Sequence, residues 1–452
     1  MACRAERRRL EETVKHIVPA MTLCIVLARL LETPAQQPAS DVLVRGFCLY
    51  GMDNEKNFPV IVRDSVDSEG KPVRSRQFVT IQFDVLADHP PELKLRFLHC
   101  DRDWTPSRSV FLQDETHNTS FVLDFRTAPN GVKGYRYRYV NAFPDTEGVV
   151  RFDYSGKWKA VLMDKAETRV FDEAKFFVVD RIVAPNISIA NEYLTNAPSP
   201  WNQVHKVVVS FRLPQEIDGY YYTTVDVFQN RRLSQPYRID ANDRDTYTMV
   251  EGYNTGTRSF TIRNIQPGNE YRTLDLSDVT RYPNGAVVRK VEGADQMRVL
   301  WRTGPDRNGT AEVNRFHGIH SDYLEVLFRL DLTTMDYLTA TRGGRLIFLA
   351  GPFNQWDPTP DDQLRYDESE GSYVVRKLLR RGIYDYQYVT GIANIGSDRV
   401  AEQDWLSLEG NDWRTSDTYS AVVYFNDPRF GGFDRIVGFT QGRSVFVSPG
   451  SQ

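Results

Sequence analysis

Residues 78–85 read FVTIQFDV, and this stretch decides the class of the fold. On an extended chain Val79, Ile81, Phe83 and Val85 point to one side and Thr80, Gln82 and Asp84 to the other. A period of two is the signature of a β-strand with one buried face. The same alternation recurs along the chain. Leu93, Leu95 and Phe97 alternate with Lys94 and Arg96, and Tyr135, Tyr137 and Tyr139 alternate with arginines. Further on, Val207, Val209, Phe211 and Leu213 alternate, as do Leu324, Val326, Phe328, Leu330 and Leu332, and Tyr384, Tyr386 and Tyr388 form another tyrosine face. Clusters of Gly, Pro, Asn and Asp bound each run, which predicts half-buried antiparallel strands. No amphipathic pattern longer than two helical turns interrupts them after the leader. The expected class is all-β, in tandem antiparallel β-sandwiches, immunoglobulin-like or early-set in type.

The chain of 452 residues is too long for one core. Joints near Ala184–Asn186 and in the loop-rich stretch Arg302–Thr310 divide it into three expected sandwiches, 41–183, 184–312 and 313–447. Residues 1–39 have a different character. The basic stretch RAERRRLEETVK precedes the apolar run HIVPAMTLCIVLA, and small residues suited to cleavage lie at Ala35 and Ala39. That order resembles a secretory signal, with Met21 as an alternative start. The apolar run is too short to span a bilayer, and Leu23 before Cys24 argues against a lipid anchor. Past the leader only Cys48 and Cys100 remain, enough for one disulfide or two free thiols.

A net charge of −4 gives no overall pull toward nucleic acid or an anionic membrane. The sequence contains no nucleophile elbow, zinc-protease helix, phosphate loop or dinucleotide fingerprint. His317 and His320 are three apart in a context read as extended, where the rings diverge. HCDRDW, His99–Trp104, holds Cys, His and two Asp, but it continues a strand, so alternate side chains diverge and a capped strand end is expected. DANDRD, Asp240–Asp245, lacks the glycine and distal glutamate of a calcium loop and reads as a turn. No catalytic residue, metal or cofactor is assigned.

AGPFNQWDPTPDD, Ala350–Asp362, offers the other candidate site. Trp356 could stack on a pyranose while Asn354 bonds its hydroxyls, and the layout is similar to the early-set modules that bind glycogen and starch. A saccharide-binding envelope protein is therefore the alternative function. It requires a lateral row of aromatics on one sheet of the third unit.

A wider resemblance comes from an ordered set of segments. FLHCDRDWTPS, LDFRTAPNGVKGYRYRYVNAFP and SGKWKAVLM are followed by RNIQPGNEYRTLDLSD, then by GPFNQW with RRGIYDYQYV, and last by LEGNDWRTSDTYSAVVYFNDPRFGGFDRIVGF. Together they resemble the type IX secretion system plug protein family from about residue 41 to 440. The resemblance implies an exported, periplasmic, non-enzymatic β-protein of Bacteroidetes-type bacteria. Its partner would be the outer-membrane translocon barrel, which it closes from the periplasmic side when no cargo is engaged. On this reading His99, Cys100, Asp103, Trp104, Gly268, Asn269, Glu270, Gly410 and Asn411 are structural motif residues. The Ala350–Asp362 loop is then a structural turn or a contact loop: Asn354, Trp356 and Trp413 are candidate partner contacts if exposed, and the alternative is that the tryptophans pack their own domain edge.

Overall fold

The computed structural model describes residues 42–444 apart from 64–76, 146–147, 195–202, 215–218, 244, 253–255, 290–292, 299–305, 394–397 and 430–431. The expected leader, 1–39, lies outside the described residues. From Val44 onward the chain forms one compact unit.

Among the described residues the strands form six sheets. The first orders Leu43–Gly51, Val79–Leu86, Tyr137–Phe143 and Arg126–Thr127. The second orders Val60–Arg63, Val170–Asp180, Gly156–Asp164, Leu93–Cys100 and Thr119–Ser120. The third orders Asn186–Tyr193, Gln203–Arg212, Thr257–Ile265 and Thr248–Glu251. The fourth orders Tyr237–Asp240, Thr224–Gln229, Thr418–Asp427 and Phe433–Arg443. In the fifth, Ile383–Ala393 is the hub for Arg272–Asp275, Ala311–Glu312, Leu346–Ala350 and Val400–Asp404. The sixth orders Val287–Arg289, Tyr323–Asp331, Ser372–Arg380 and Arg365–Asp367, with Asp295–Gln296 also on Tyr323–Asp331. Pairing is mostly antiparallel; Val60–Arg63, Val287–Arg289 and Asp295–Gln296 pair in parallel. The one α-helix among the described residues, Thr334–Ala340, is two turns long and starts with a capping box from Thr333 and Asp336.

The sheets pack in facing pairs. Phe97 of the second sheet meets Phe143 of the first at 4.8 Å between ring centroids. Val207, Val209 and Phe260 of the third sheet share a core with Val225, Val227, Tyr419 and Val423 of the fourth. Leu324, Val326 and Phe328 of the sixth share one with Tyr384, Tyr386 and Tyr388 of the fifth. The alternating apolar residues form these cores because period two puts them all on one face.

Chain order and sheet order diverge at two places. The last hairpin, Thr418–Asp427 with Phe433–Arg443, returns to pair with Thr224–Gln229. Arg272–Asp275 leaves its neighbours in sequence to pair with Ile383–Ala393. Strands from both sides of residue 313 therefore share the fourth sheet and the fifth.

The polar faces depart from expectation. Thr80, Gln82 and Asp84 are buried as thoroughly as the apolar residues between them, and every residue of Thr224–Gln229 is buried. The reason is a second layer of packing. The outer face of the fourth sheet, with Phe228, Val422, Tyr424 and Ile436, meets Phe58, Val60, Trp104, Phe177 and Val179, most of them from the second sheet. The polar residue on that face, Asp226, is fully buried. It accepts from Arg238 Nε at 2.8 Å and Nη2 at 3.0 Å, from the Tyr424 hydroxyl at 3.0 Å and from Lys157 Nζ at 3.2 Å. Burial alone would raise its pKa, but Arg238 and Lys157 hold the Asp226 carboxyl below the usual range.

Removing one partner of such a pair strands the other. Asp226→Ala leaves Lys157, 1% exposed, without its carboxylate. We expect a loss of about 3–5 kcal/mol in guanidinium unfolding. A loss under about 1 kcal/mol, the size of a surface pair, would contradict this picture of the joint.

Candidate functional site

The loop from Ala350 to Asp362 is where most of the structure converges. After Leu346–Ala350 the chain turns through a short 3-10 segment, Pro352–Asn354. Asn354 closes the turn on itself: its Oδ1 accepts from Gly351 N at 3.0 Å and its Nδ2 donates to Leu349 O at 2.9 Å. Gln355 and Trp356 both adopt left-handed backbone, with φ of 55° and 58°. Residues with a Cβ seldom do so unless their surroundings hold them there.

Those surroundings come from three directions: the strand Val170–Asp180, the turn at Ser234, and a pocket around Gly309 that Tyr271 and Trp405 complete. Gln355 Nε2 donates to Glu173 O at 2.6 Å, and Lys175 Nζ reaches Asp357 Oδ2 at 3.1 Å, both partners lying on Val170–Asp180. Ser234 Oγ donates to the same Asp357 oxygen at 2.6 Å. Trp356 Nε1 donates to Gly309 O at 2.7 Å. Its ring lies 4.6 Å from that of Tyr271 and 6.1 Å from that of Trp405. A Cβ at Gly309 would stand 3.2 Å from the Trp356 ring, so the residue facing the indole has to be small.

The polar surroundings of Trp356 in the sequence suggest exposure, but the residue is 2% exposed. Its indole fills a small core with Tyr271, Phe348, Val389, Val400 and Trp405, and its one polar atom is satisfied. Asn354 spends its amide inside its own turn. Neither presents a surface for stacking a sugar. Trp413 is half-buried in the segment before Thr418–Asp427. Tyr337, Tyr373 and Tyr366 do form a row near the helix, but Tyr337 and Tyr373 stack on one another at 5.0 Å and 9°. That stack occupies one face of each of those two rings.

The motif residues form two clamps. His99 Nδ1 lies 2.8 Å from Ser107 Oγ, which donates to Asp101 Oδ1 at 2.7 Å. Burial pushes the His99 pKa down to about 4. Asp103 Oδ1 caps Thr105 through its N–H at 3.0 Å and its hydroxyl at 2.6 Å. Trp104, at φ 69°, donates Nε1 to Leu233 O at 3.2 Å, and the Lys157 ammonium sits 4.8 Å above its ring. Cys48 and Cys100 are both free, and Cys100 is buried. In the second clamp, Gly268 N donates to Asn411 Oδ1 at 2.8 Å and Asn269 Nδ2 to Glu409 O at 3.0 Å. Ser416 N donates to Glu270 Oε1 at 3.0 Å, and Gly410 N closes its turn on Leu406 O at 2.7 Å. Two motifs about 140 residues apart in sequence thus form one joint.

Two other sequence readings change. His317 caps a 3-10 turn, Gly318–Ser321, and His320 lies within it, rather than both standing on an extended segment. Asp240 accepts from Asn242 N at 2.9 Å and faces Arg102 Nη1 at 3.3 Å, so that carboxylate is engaged within the turn and by the joint. Among the described residues no group of three His, Cys, Asp or Glu could hold a metal ion, and no helix is long and apolar enough to cross a membrane.

What the sheets and clamps define is a mostly-β protein, a body of stacked, largely antiparallel layers whose motif residues join one layer to the next. Residues 46–180 match the family model described as the type 9 secretion system plug protein 1st domain. A crystal structure of a hypothetical protein from Parabacteroides merdae ATCC 43184 aligns with a TM-score of 0.69 at 19% identity, over 90% of this chain and 99% of that one. At that identity the likeness is one of fold. The C-terminal domain of the Streptococcus agalactiae AgI/II polypeptide BspA reaches a TM-score of only 0.11 at 8% identity, covering 84% of this chain and 99% of that one, and carries no argument. No curated protein matches the sequence.

Two measurements test the joints. Trp356→Ala empties a filled site and orphans a carbonyl, so we expect a loss of about 3–5 kcal/mol in unfolding free energy; an unchanged midpoint would remove Trp356 from the core. The second concerns pH. Burial pushes Glu270 up to about 8, with Asp306 adding to the rise. Burial likewise pushes Asp172, Asp385 and Asp417 each up to about 7. Protonated carboxyls favour the folded state here, so their contribution is complete below the ordinary carboxylate range and is lost as pH rises through 7 to 8. His99 and His205, both lowered to about 4, act oppositely: their contribution is present above 6.5 and is lost as pH falls toward 4. Below 6.5 the two effects oppose one another and above it only the carboxyls act, so melting temperature should fall as pH rises from 6.5 to 8, and Glu270→Gln should flatten this alkaline limb. An alkaline limb as steep in Glu270→Gln as in wild type would contradict the assignment.

Proposed function

We propose that this protein is a non-enzymatic plug of the type IX secretion system. It acts in the periplasm, binds the periplasmic opening of the outer-membrane translocon barrel, and closes it while no cargo is engaged. The observation that carries this reading is the family match over residues 46–180. The construction of the body supports it. A pore that passes folded cargo has to be stopped by something that does not deform, and layers tied by buried polar joints resist sliding. Closure needs a reversible interface and no reaction centre, and release follows when cargo or another component binds the barrel more favourably than the plug does.

Within this reading the facing sheets are three immunoglobulin-like or early-set sandwiches, with the last hairpin of the chain completing the middle one. Asn354 and Trp356 serve the body itself by holding the three-way loop. Trp413, half-buried beside the second clamp, is the candidate to meet the partner.

Affinity purification of the tagged protein from detergent-solubilised envelopes of its host, in cells lacking secretion cargo, tests the proposal. One very large outer-membrane barrel should be recovered as the main partner. Recovery of no barrel, with retention of the protein on a glycan resin, would overturn it in favour of the saccharide alternative.

A further inference from the structure

Between the outer face of the first sheet and the fifth and sixth sheets lies a cavity of about 240 Å³. Cys48 and Gln82 line one side; Tyr323, Leu379, Arg380 and Tyr384 line the other. The walls are largely apolar, and Cys48 stays a neutral thiol because burial pushes its pKa up to about 12. An apolar cavity of about 150 Å³ accommodates benzene, so this space suits a ring with a short side arm.

One wall residue is out of keeping with the rest. Arg380 is 5% exposed, yet its Nε has no hydrogen-bond partner. Its Nη1 and Nη2 make only long bonds, 3.4 Å to Asn314 Oδ1 and 3.2 Å to Phe316 O. The nearby carboxylates are committed elsewhere. Glu55 accepts from Val313 N at 2.9 Å and Asn314 N at 3.2 Å, Asp84 is taken by Arg138 and Tyr323, and Asp362 by Lys377. Arg231, a second cation on the wall, donates to the carbonyls of Glu55 at 3.0 Å and Asn57 at 2.7 Å. Lys175, on the same wall, is paired with Asp357. Glu55 lies close enough to feel the charge, but the Nε donor, buried at the edge of an apolar space, is left unsatisfied.

We propose that this cavity binds a small molecule with a compact apolar body and one carboxylate, the carboxylate oxygens accepting from Nε and Nη2 of Arg380. A carboxylate fits the planar fork of a guanidinium with two parallel bonds. A ligand there would touch the first sheet and the fifth and sixth together, and so would strengthen that joint. The inference stands apart from the plug reading and does not require it.

The probe is 3-phenylpropanoate, with the neutral 3-phenylpropanamide as control, titrated calorimetrically into the full chain. The acid should bind saturably at one site, with the amide weaker by roughly tenfold, the worth of a charge-assisted hydrogen bond. Arg380→Met should abolish the difference while leaving the circular dichroism spectrum unchanged. Should that variant fail to fold, a crystal of wild type soaked in the acid decides, and density beside Arg380 supports the site. Equal binding of acid and amide, no saturable heat up to about 1 mM, or density elsewhere on the molecule would overturn the proposal.

Discussion

A carboxylate on the polar face of a central strand, buried against a neighbouring sheet or loop, is the constraint on which the rest of this structure depends. It occurs three times. Asp226 meets Arg238, Lys157 and Tyr424 where the second and fourth sheets join. Asp84 is held by Arg138 through two bonds, at 2.6 and 2.9 Å, and by the Tyr323 hydroxyl at 2.9 Å where the first sheet meets the sixth. Asp385, on the hub strand of the fifth sheet, accepts from Arg307 N at 2.7 Å and Gly309 N at 3.0 Å. Gly309 is also the residue whose carbonyl receives the Trp356 indole, so the third carboxylate and the three-way loop are parts of one network.

Joints of this kind behave differently from apolar ones. Two greasy faces can slide with little penalty, whereas each buried carboxylate is satisfied in only one register. The energy gained over a hydrophobic joint is small, and the gain lies in geometry. Arg102 illustrates the reach of the network: from the loop after Leu93–Cys100 it bonds Thr224 at 2.8 Å and Asp434 at 2.6 Å, residues on two strands of the fourth sheet. A body built this way holds its shape under a lateral push. That is the mechanical property closure of a wide pore would call on.

Much of the fold was legible in the sequence because period-two alternation reports on the apolar face directly. Val79, Ile81, Phe83 and Val85 lie in a core as read, and so do Tyr384, Tyr386 and Tyr388. The polar face was not legible, because a strand facing water and a strand facing a polar joint share one pattern. Asp84 and Asp226 look like solvated residues in FVTIQFDV and TVDVFQ, and their partners lie tens to hundreds of residues away. Trp356 misled for a related reason. A tryptophan among Asn, Gln, Asp and Pro looks exposed, and only the arrival of Tyr271, Gly309 and Trp405 buries it. The motif residues carried a usable signal: GNE at 268–270 and GN at 410–411 recur in the ordered set behind the family resemblance, and the structure brings them together.

These polar joints make the chain from Val44 onward a single cooperative body. Native-state hydrogen exchange can show this by following the amides of Val79–Leu86, Thr224–Gln229 and Ile383–Ala393, one strand from each joint. All three should share one opening free energy and respond together as denaturant is added. If Ile383–Ala393 opens well before the other two, with its own denaturant dependence, the layers are separate units in contact and not a single cooperative body.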